Sequence, residues 1–214
     1  MSESDPRVEY HKWYYDSLVW EKVNFLGVPC YKSVSDMWNY QEILCELKPS
    51  LIVEFGTLFG GSALFFSMIG RSINADLKVL SVDISHENLE ERARSDQAIS
   101  FLNVSSIDPV VVKTITEMRS QVPGKVFFIL DSDHRKAHVL AELESIRSVL
   151  EPGDYVVVED GNVNGHPVMP GWGEGPKEAV TAYFEQYPED YVMDTEREEK
   201  FGFTFAPSGF LIKK

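Results

Sequence analysis

The sequence predicts an α/β fold in which a mostly parallel sheet carries helices on both faces. Two observations support this prediction. Short apolar runs alternate along the 214 residues with stretches whose apolar residues recur at helical spacing. One stretch, Leu51–Met68 (LIVEFGTLFGGSALFFSM), has the pattern of a buried strand, a glycine turn and a helix. Repeated units of this kind build a parallel sheet around one core.

Composition narrows the class of protein. The hydrophobic content of 43% can fill the core of a single domain, which we expect to span residues 1–214. The net charge of −14 argues against nucleic acid or an anionic membrane as a partner. Cys30 and Cys45 lie in unrelated contexts without zinc spacing, and we find no signal peptide or membrane-spanning run. We therefore expect a soluble cytoplasmic protein.

Residues 1–48 are predicted to form a helical cap or interface segment. Tyr10–Trp20 is rich in aromatic residues and is expected to be a helix that covers an active site or a subunit contact. These aromatic side chains favour a homo-oligomer. Asp36–Leu47 has helical spacing, with Asp36 as its expected N-cap.

The remaining elements follow in alternation. Strands are expected from Leu51 and at Lys78–Asp83, Ser100–Val104, Lys125–Asp131 and Tyr155–Asp160. Helices are expected from Ser62, within His86–Ala98, from Pro109, and at Arg135–Leu150 and Pro176–Tyr187. Between the last two helices, Asn162–Gly175 is predicted to be a functional surface loop. At the end of the chain, Tyr191–Asp194 is a short strand, and Gly202–Phe205 pairs with Gly209–Ile212 in an antiparallel hairpin.

The glycine turn indicates a ligand site. Gly56, Gly60 and Gly61 follow the first strand at the spacing G-x-x-x-G-G, which differs from the dinucleotide fingerprint and lacks the lysine of a phosphate loop. An acid, Glu54, lies two residues before the first glycine. It suits a cationic or hydroxyl-bearing ligand such as S-adenosylmethionine. Asp83, at the end of the second strand, is expected to bind the ribose hydroxyls, although it could instead cap the following helix.

Further acids end the later strands, at Asp131 and at Glu159 with Asp160. The carboxyl ends of parallel strands meet at one edge of a sheet, where these acids would repel each other without a positive charge between them. Carboxylate oxygens favour Mg²⁺ or Ca²⁺. We therefore predict an Mg²⁺ site at Asp131, Glu159 and Asp160. Helix capping, or ion pairs with Arg135 and Lys136, is the structural alternative.

Histidines near these acids could move a proton. His134 lies three residues after Asp131 and is the predicted general base, with Asp131 as its catalytic partner. A surface role for His134 stays open. His138 falls one helical turn later and is expected to face solvent. His166, in the surface loop, is a weaker alternative base that would require the loop to close.

At these motifs the chain resembles a known family. ILDSDH followed by YVVVEDGNVNG is similar to the Mg²⁺-dependent, S-adenosylmethionine-dependent O-methyltransferases of catechol and caffeoyl-coenzyme A type. VPCYKSVSDMWNYQEILCELKPSLIVEFGTLFGGSALFF, GDYVVVEDGNVNGHPV and EKFGFTFAPSGFLIKK more closely resemble the cephalosporin hydroxylase/CmcI-like and rhamnosyl O-methyltransferase group. The resemblance implies a Rossmann-like class I methyltransferase fold with a seven-stranded sheet. It also implies methyl transfer to a hydroxyl of a sugar, polyketide or other secondary metabolite.

The resemblance assigns roles to residues of this chain. It implies metal ligands at Asp131, Glu159 and Asp160. The implied contacts to S-adenosylmethionine are Glu54, Gly56, Thr57, Gly60, Ser62, Asp83, Ser105, Ser106, Asp131 and Asp133, with either serine near the adenine. Asp133 could instead bind the metal. The catechol-type enzymes carry Asp-Asn where this chain has Glu159–Asp160, and lysine where it has His134.

Two other functions compete with methyl transfer. A non-haem iron hydroxylase would need two histidines and a carboxylate, for which His134, Asp131 and His166 are the best set. A non-catalytic scaffold would be expected to lack the acids at the strand ends, and here all are present. An NAD-dependent oxidoreductase is disfavoured by the glycine spacing.

Overall fold

The computed structural model describes residues 5–214. Its strands are β1 (Asn24–Phe25), β2 (Val28–Pro29), β3 (Leu51–Phe55), β4 (Lys78–Asp83), β5 (Ile99–Asn103), β6 (Val126–Leu130), β7 (Tyr155–Val158), β8 (Tyr191–Met193) and β9 (Phe210–Lys213). Its helices are α1 (Pro6–Asp16), α2 (Val34–Leu47), α3 (Gly61–Ile73), α4 (Glu91–Arg94), α5 (Pro109–Gln121), α6 (Lys136–Ile146), α7 (Pro176–Gln186) and α8 (Thr195–Glu199), with a 3₁₀ turn at Val19–Lys22. None of the helices in this part of the chain is long and apolar enough to cross a membrane.

Seven of the strands form one sheet in the order β5-β4-β3-β6-β7-β9-β8. The pairs from β5 to β7 are parallel, and β9 runs antiparallel to both β7 and β8. The predicted fold class is therefore confirmed. The strand order reverses between β3 and β6, and in open α/β sheets this is where ligands bind, beyond the carboxyl ends.

Both faces of the sheet are buried because alternate side chains on each strand point to opposite sides. Val53 of β3 and Phe128 of β6 belong to a core covered by α5, α6 and α7. Ile52 and Phe127 belong to a second core covered by α2 and α3. This explains why the central strands are continuous apolar runs rather than alternating ones.

Both helices predicted in the N-terminal segment are present, but the end of the first and the cap of the second differ from the prediction. The aromatic helix is α1, and it ends before Leu18, whose φ of 54° breaks the helix ahead of the 3₁₀ turn. Asp36 is not an N-cap, because Ser33 precedes the helix. The Asp36 carboxylate is fully buried and accepts hydrogen bonds from Thr204 Oγ1 (2.6 Å) and Phe205 N (2.8 Å). Within His86–Ala98, only α4 is helical.

The predicted C-terminal hairpin is also corrected. Residues 202–205 do not form a strand, and β9 pairs instead with β8, which lies before α8. The segment is held by the buried carboxylate of Asp36 described above, so its backbone N–H is used outside the sheet. Antiparallel strands at this end of the sheet remain correct.

The first helix packs against this same C-terminal segment through aromatic rings. Tyr14 contacts Phe203 and Phe205, with ring centroids 5.3 and 5.9 Å apart. His11 stacks on Phe205 at 5.8 Å, and its Nε2 lies 3.0 Å from Asn162 Nδ2. The amide of Asn162 can donate only to a neutral imidazole nitrogen. Burial accordingly lowers the pKa of His11 to about 4.

The contribution of His11 to stability should therefore fall in mild acid, because the folded protein resists protonation of this imidazole. The pKa of His11 is depressed from 6.5, so its contribution is present above pH 6.5 and is lost as the pH falls towards 4. We expect the contribution of His11 to the free energy of unfolding to drop by roughly 2 to 3 kcal/mol over this window, while the raised pKa values of the buried carboxyls Asp36 and Glu54, both about 7, act in the opposite direction. Chemical denaturation at several pH values measures it. The His11→Gln variant should lose most of this pH dependence, and an unchanged slope in the variant would contradict the assignment.

Candidate active site

The glycine turn lies directly against the chain that follows β6. Gly56 has a φ of +97°, and its N–H donates to Val82 O at 2.8 Å. A Cβ placed on Gly56 would lie 2.0 Å from the backbone oxygen of Asp131. No other residue fits at this distance from backbone atoms. The glycine turn after β3 and Asp131 after β6 therefore form one continuous surface at the point where the strand order reverses. We call this surface the floor of the site.

Asp83 shapes this floor from the neighbouring strand. Its Oδ2 accepts hydrogen bonds from the N–H groups of Thr57 (2.8 Å) and Leu58 (3.0 Å), and its Oδ1 accepts one from Ser85 N (3.2 Å). The carboxylate thus holds the glycine turn in place and also lies on the wall of the cavity above it. Binding of a ribose by Asp83 remains a prediction.

Two of the predicted ligand contacts lie behind the floor rather than on it. Glu54 is fully buried; Ser81 Oγ donates to its Oε2 at 2.8 Å, while Oε1 has no hydrogen-bond partner among the described residues. Burial, partly offset by Lys32, raises the pKa of Glu54 to about 7. Gly60 has a φ of +82° and packs where a Cβ would meet Leu89.

The other predicted residues line a single cavity of about 620 Å³. They are Gly56, Thr57, Ser62, Asp83, Ser105, Ser106, Asp131, Asp133, His134, Glu159 and Asp160. Four aromatic residues, Tyr15, Trp20, Tyr31 and Phe205, form a further wall of the cavity, and Tyr31 packs against Phe59 of the glycine turn with ring centroids 5.2 Å apart. The cavity therefore combines a polar floor with an apolar wall, which is the usual composition of a small-molecule site.

An acid–histidine cluster lines the cavity. His134 lies between β6 and α6, and its Nε2 is 3.2 Å from Asp131 Oδ1 and 3.1 Å from Asp160 Oδ2. The ligand atoms of these three residues all lie within 4.8 Å of one another. Burial alone would lower the pKa of His134, but the two carboxylates raise it to about 10. The imidazole is therefore protonated at neutral pH in this arrangement.

Glu159 does not join this cluster directly. Its carboxylate is 2% exposed, and its Oε1 accepts a hydrogen bond from Tyr40 OH (2.7 Å) and lies 2.9 Å from Lys32 Nζ. The same ammonium contacts Asp131 Oδ2. Asp131 has two cationic neighbours, Lys32 and His134, which outweigh burial and lower its pKa to about 2. Glu159 is more deeply buried, so burial dominates and its pKa is raised.

Lys32 is the residue that sequence reasoning missed. It lies in the irregular segment between β2 and α2, and its position along the chain gives no sign that it enters the site. The side chain is 2% exposed, and a lysine is rarely buried unless it is paired. The nearby carboxylates raise its pKa well above the ordinary value despite its burial.

His138 corrects a second expectation. It does not face solvent but lines the cavity, with Nε2 2.9 Å from Ser106 Oγ and 3.4 Å from Glu142 Oε1. The hydrogen bond to Glu142 raises the pKa of His138. Glu142 is fully buried and also accepts a hydrogen bond from Ser132 Oγ at 2.5 Å. The spacing i, i+4 of His138 and Glu142 on one helix was the available signal.

His166 does not join the cluster at the cavity. It pairs with Glu178 on the first turn of α7, Nε2 to Oε1 at 2.8 Å. The set required for a non-haem iron hydroxylase, His134, Asp131 and His166, is therefore not assembled.

The donor set is compatible with a hard divalent cation. A carboxylate oxygen of Asp131 and one of Asp160 lie within 4.8 Å of each other and of a ring nitrogen of His134, and Lys32 links Asp131 to Glu159. Carboxylate oxygens are the ligands that Mg²⁺ prefers. An imidazole is an additional ligand that softer divalent ions accept.

Comparison with known proteins identifies the family. A family described as Rhamnosyl O-methyltransferase/CmcI matches residues 17–214. A rhamnosyl O-methyltransferase of Mycobacterium tuberculosis (strain ATCC 25618 / H37Rv) is 57% identical over 205 residues, covering 96% of this chain and 84% of its own length. The protein of the same name from Mycobacterium leprae (strain TN) is 54% identical over 206 residues, covering 96% and 90% respectively.

Solved structures agree on the fold. A structure of CmcI with Mg and SAM has a TM-score of 0.72 at 20% identity, covering 91% of this chain and 77% of its own. An O-methyltransferase from Bacillus cereus in complex with SAH has a TM-score of 0.54 at 14% identity, covering 100% and 93%. At these identities the likeness concerns the fold. Together with the sequence matches, it means that this chain belongs to the rhamnosyl O-methyltransferase/CmcI family and is an O-methyltransferase.

Proposed function

We propose that this enzyme transfers a methyl group from S-adenosylmethionine to a hydroxyl of a sugar-bearing small molecule, in a reaction that depends on Mg²⁺. The observation that carries the proposal is the single cavity in which the glycine turn adjoins the cluster of Asp131, His134 and Asp160. Relatives above 50% identity that are named for rhamnosyl O-methylation support the choice of a sugar.

The part of the cavity that we assign to the methyl donor, S-adenosylmethionine, is the floor around Gly56. Thr57, Ser62 and the carboxylate of Asp83 surround the turn, and Ser105 and Ser106 follow β5 on the same side. These groups are the ones we assign to the cofactor. Asp133 also faces this cavity and is assigned to the cofactor or the metal. Glu54 lies behind the floor, where a ligand with a positive charge would favour the ionised form of its carboxyl and be attracted by it.

The part of the cavity that we assign to the methyl acceptor is the aromatic wall. Trp20 packs against Tyr31 and Phe205 with centroids 5.8 and 6.1 Å apart, and its Nε1 donates to Tyr15 O at 3.1 Å. This network fixes the indole ring. A rigid aromatic wall next to polar groups matches the apolar C–H face and the hydroxyls of a sugar ring.

Asp131 and Asp160 would hold Mg²⁺, with Glu159 as the third carboxylate. When bound, Mg²⁺ supplies a Lewis acid that lowers the pKa of a hydroxyl and orients it. His134 owes its raised pKa to the carboxylates of Asp131 and Asp160, and it would lose that effect if they were neutralised by a divalent cation. The imidazole would then be neutral, and Nε2 could accept the proton of the acceptor hydroxyl. Because methyl transfer is a displacement between two bound substrates, positioning supplies much of the remaining rate.

We also infer that residues 1–48 act as a cap of the same domain as the sheet; Met1–Ser4 lie outside the described residues. The fully buried Tyr40 of α2 packs against Phe66, Phe127 and Phe210 and so belongs to the core of the sheet. A homo-oligomer remains a prediction, supported by the exposure of Trp13 and Trp38. Neither an iron hydroxylase nor a non-catalytic scaffold is supported by an observation at the cavity.

Calorimetry with S-adenosylhomocysteine, with and without Mg²⁺, tests the cofactors. We expect binding of the nucleotide and a separate, chelator-sensitive binding of Mg²⁺. Purified enzyme is then offered matched pairs of acceptors, each a rhamnosylated compound and its sugar-free form. Methylation of the sugar only, abolished by EDTA and restored by Mg²⁺, is the expected result. Full activity in EDTA would refute the metal, and methylation of the sugar-free form would refute the acceptor class.

A further inference from the structure

Lys32 places a positive charge inside the site from an unrelated part of the chain. Its ammonium bridges two carboxylates that follow adjacent strands, Asp131 after β6 and Glu159 after β7. The side chains of Lys32 and Glu159 are each 2% exposed. Charges this deep are stable only when they are paired in good geometry. The three groups therefore form one buried ionic unit.

The ammonium uses only one oxygen of each carboxylate. It contacts Oδ2 of Asp131 and Oε1 of Glu159, and Tyr40 OH donates to the same Oε1. Oδ1 of Asp131 instead faces His134, on the side of the acid–histidine cluster. Lys32 and Tyr40 thus engage one oxygen of each carboxylate, so the oxygens that a second cation would meet are Oε2 of Glu159 and Oδ1 of Asp131, which in this structure faces His134.

The charge balance explains why such a residue is needed. Asp131, Glu159 and Asp160 come from the ends of two neighbouring strands, and like charges this close repel one another. His134 faces Asp131 and Asp160 but not Glu159. Lys32 is the cation in contact with Glu159 among the described residues.

We propose that Lys32 is a positioning residue that assembles the acidic cluster before a divalent cation arrives and fixes which carboxylate oxygens face that cation. It acts through Asp131 and Glu159 and is not assigned a contact with substrate. The effect of a metal ion on the role of Lys32 rests on the proposed function, because it requires the proposed Mg²⁺ site. The assembly of the carboxylates by Lys32 is independent of it.

The first test is made without metal, in EDTA, on the full chain. Lys32→Met keeps most of the side-chain volume and removes the charge. We expect its Tm to fall by roughly 10 °C, because two buried carboxylates lose their partner. Lys78→Met, the same change at an exposed position, should leave Tm almost unchanged. Glu159→Gln should lower Tm in the native background but much less, or not at all, in the Lys32→Met background. Additive effects of the two substitutions would overturn the proposal.

The second test adds saturating Mg²⁺ to the same proteins. A divalent cation takes over part of the charge balance, so the Tm gap between the native enzyme and Lys32→Met should close by roughly half. A lysine with a purely packing role would leave this gap unchanged, and that result would also overturn the proposal. If calorimetry finds no Mg²⁺ binding to the native enzyme, the metal part of the proposed function fails. The comparison in EDTA still decides the role of Lys32.

Discussion

Replacement of Asp131 by asparagine is expected to lower methyl transfer on the order of 1000-fold or more. The substitution keeps the size of the side chain and the backbone hydrogen bond from Asp131 N to Phe55 O (2.9 Å). It removes a charge that touches both Lys32 and His134 and that we assign to the metal. The chemistry should therefore fail while the fold persists. Turnover with saturating Mg²⁺ and S-adenosylmethionine measures the loss.

The same variant separates catalysis from binding of the donor. We expect its affinity for S-adenosylhomocysteine to change less than about tenfold, because the glycine turn and Asp83 are untouched. Asp76→Asn is the matched control, since it makes the same change at an exposed position outside the cavity. Native-like turnover in Asp131→Asn would show that this carboxylate is not part of the reaction.

Replacement of Gly56 by alanine should damage both stability and binding of the donor. The new Cβ would lie 2.0 Å from Asp131 O and 2.7 Å from its carbonyl carbon, and these are backbone atoms that cannot rotate away. The φ of +97° adds strain for any side chain. We expect a loss of roughly 2 to 4 kcal/mol in unfolding free energy and at least a roughly tenfold weaker binding of S-adenosylhomocysteine.

Gly27 supplies the control for this experiment. It has a similar φ of +89°, but a Cβ there would meet nothing within 4 Å. Gly27→Ala should therefore show the cost of the backbone conformation alone, about 1 kcal/mol, with donor binding preserved. If the two alanine variants behave alike, the close approach of the glycine turn to Asp131 does not matter for the site.

The central strands could be predicted from sequence because burial on both faces of the sheet leaves a local pattern, a short continuous apolar run. The runs LIVEF and VFFIL are apolar except for Glu54, and each is followed by the residue that enters the cavity, Gly56 or Asp131. Since parallel strands end at one edge, the meeting of Asp131 and Asp160 followed from the fold class alone. The positions of these carboxylates at the strand ends could thus be predicted from the sequence.

Other features depend on contacts between distant parts of the chain, which leave no local pattern. Asp36 looked like a helix cap, yet its carboxylate binds the backbone of Phe205, 169 residues away. Lys32 reaches Asp131 across 99 residues. The strand predicted at residues 202–205 failed for the same reason, because tertiary hydrogen bonds override a local β pattern. His138 was misassigned because a helix face that lines a cavity carries polar residues, as a solvated face does.

The two sides of the cavity come from different parts of the chain. Gly56, Asp83 and Asp131 lie at the carboxyl ends of central strands of the sheet, whereas the aromatic wall brings Tyr15, Trp20 and Tyr31 from one end of the sequence together with Phe205 from the other. Phe205 is tied to the N-terminal part of the chain because its N–H donates to the buried carboxylate of Asp36. Loosening either end of the chain should therefore alter the side of the cavity that we assign to the acceptor more than the side that we assign to S-adenosylmethionine.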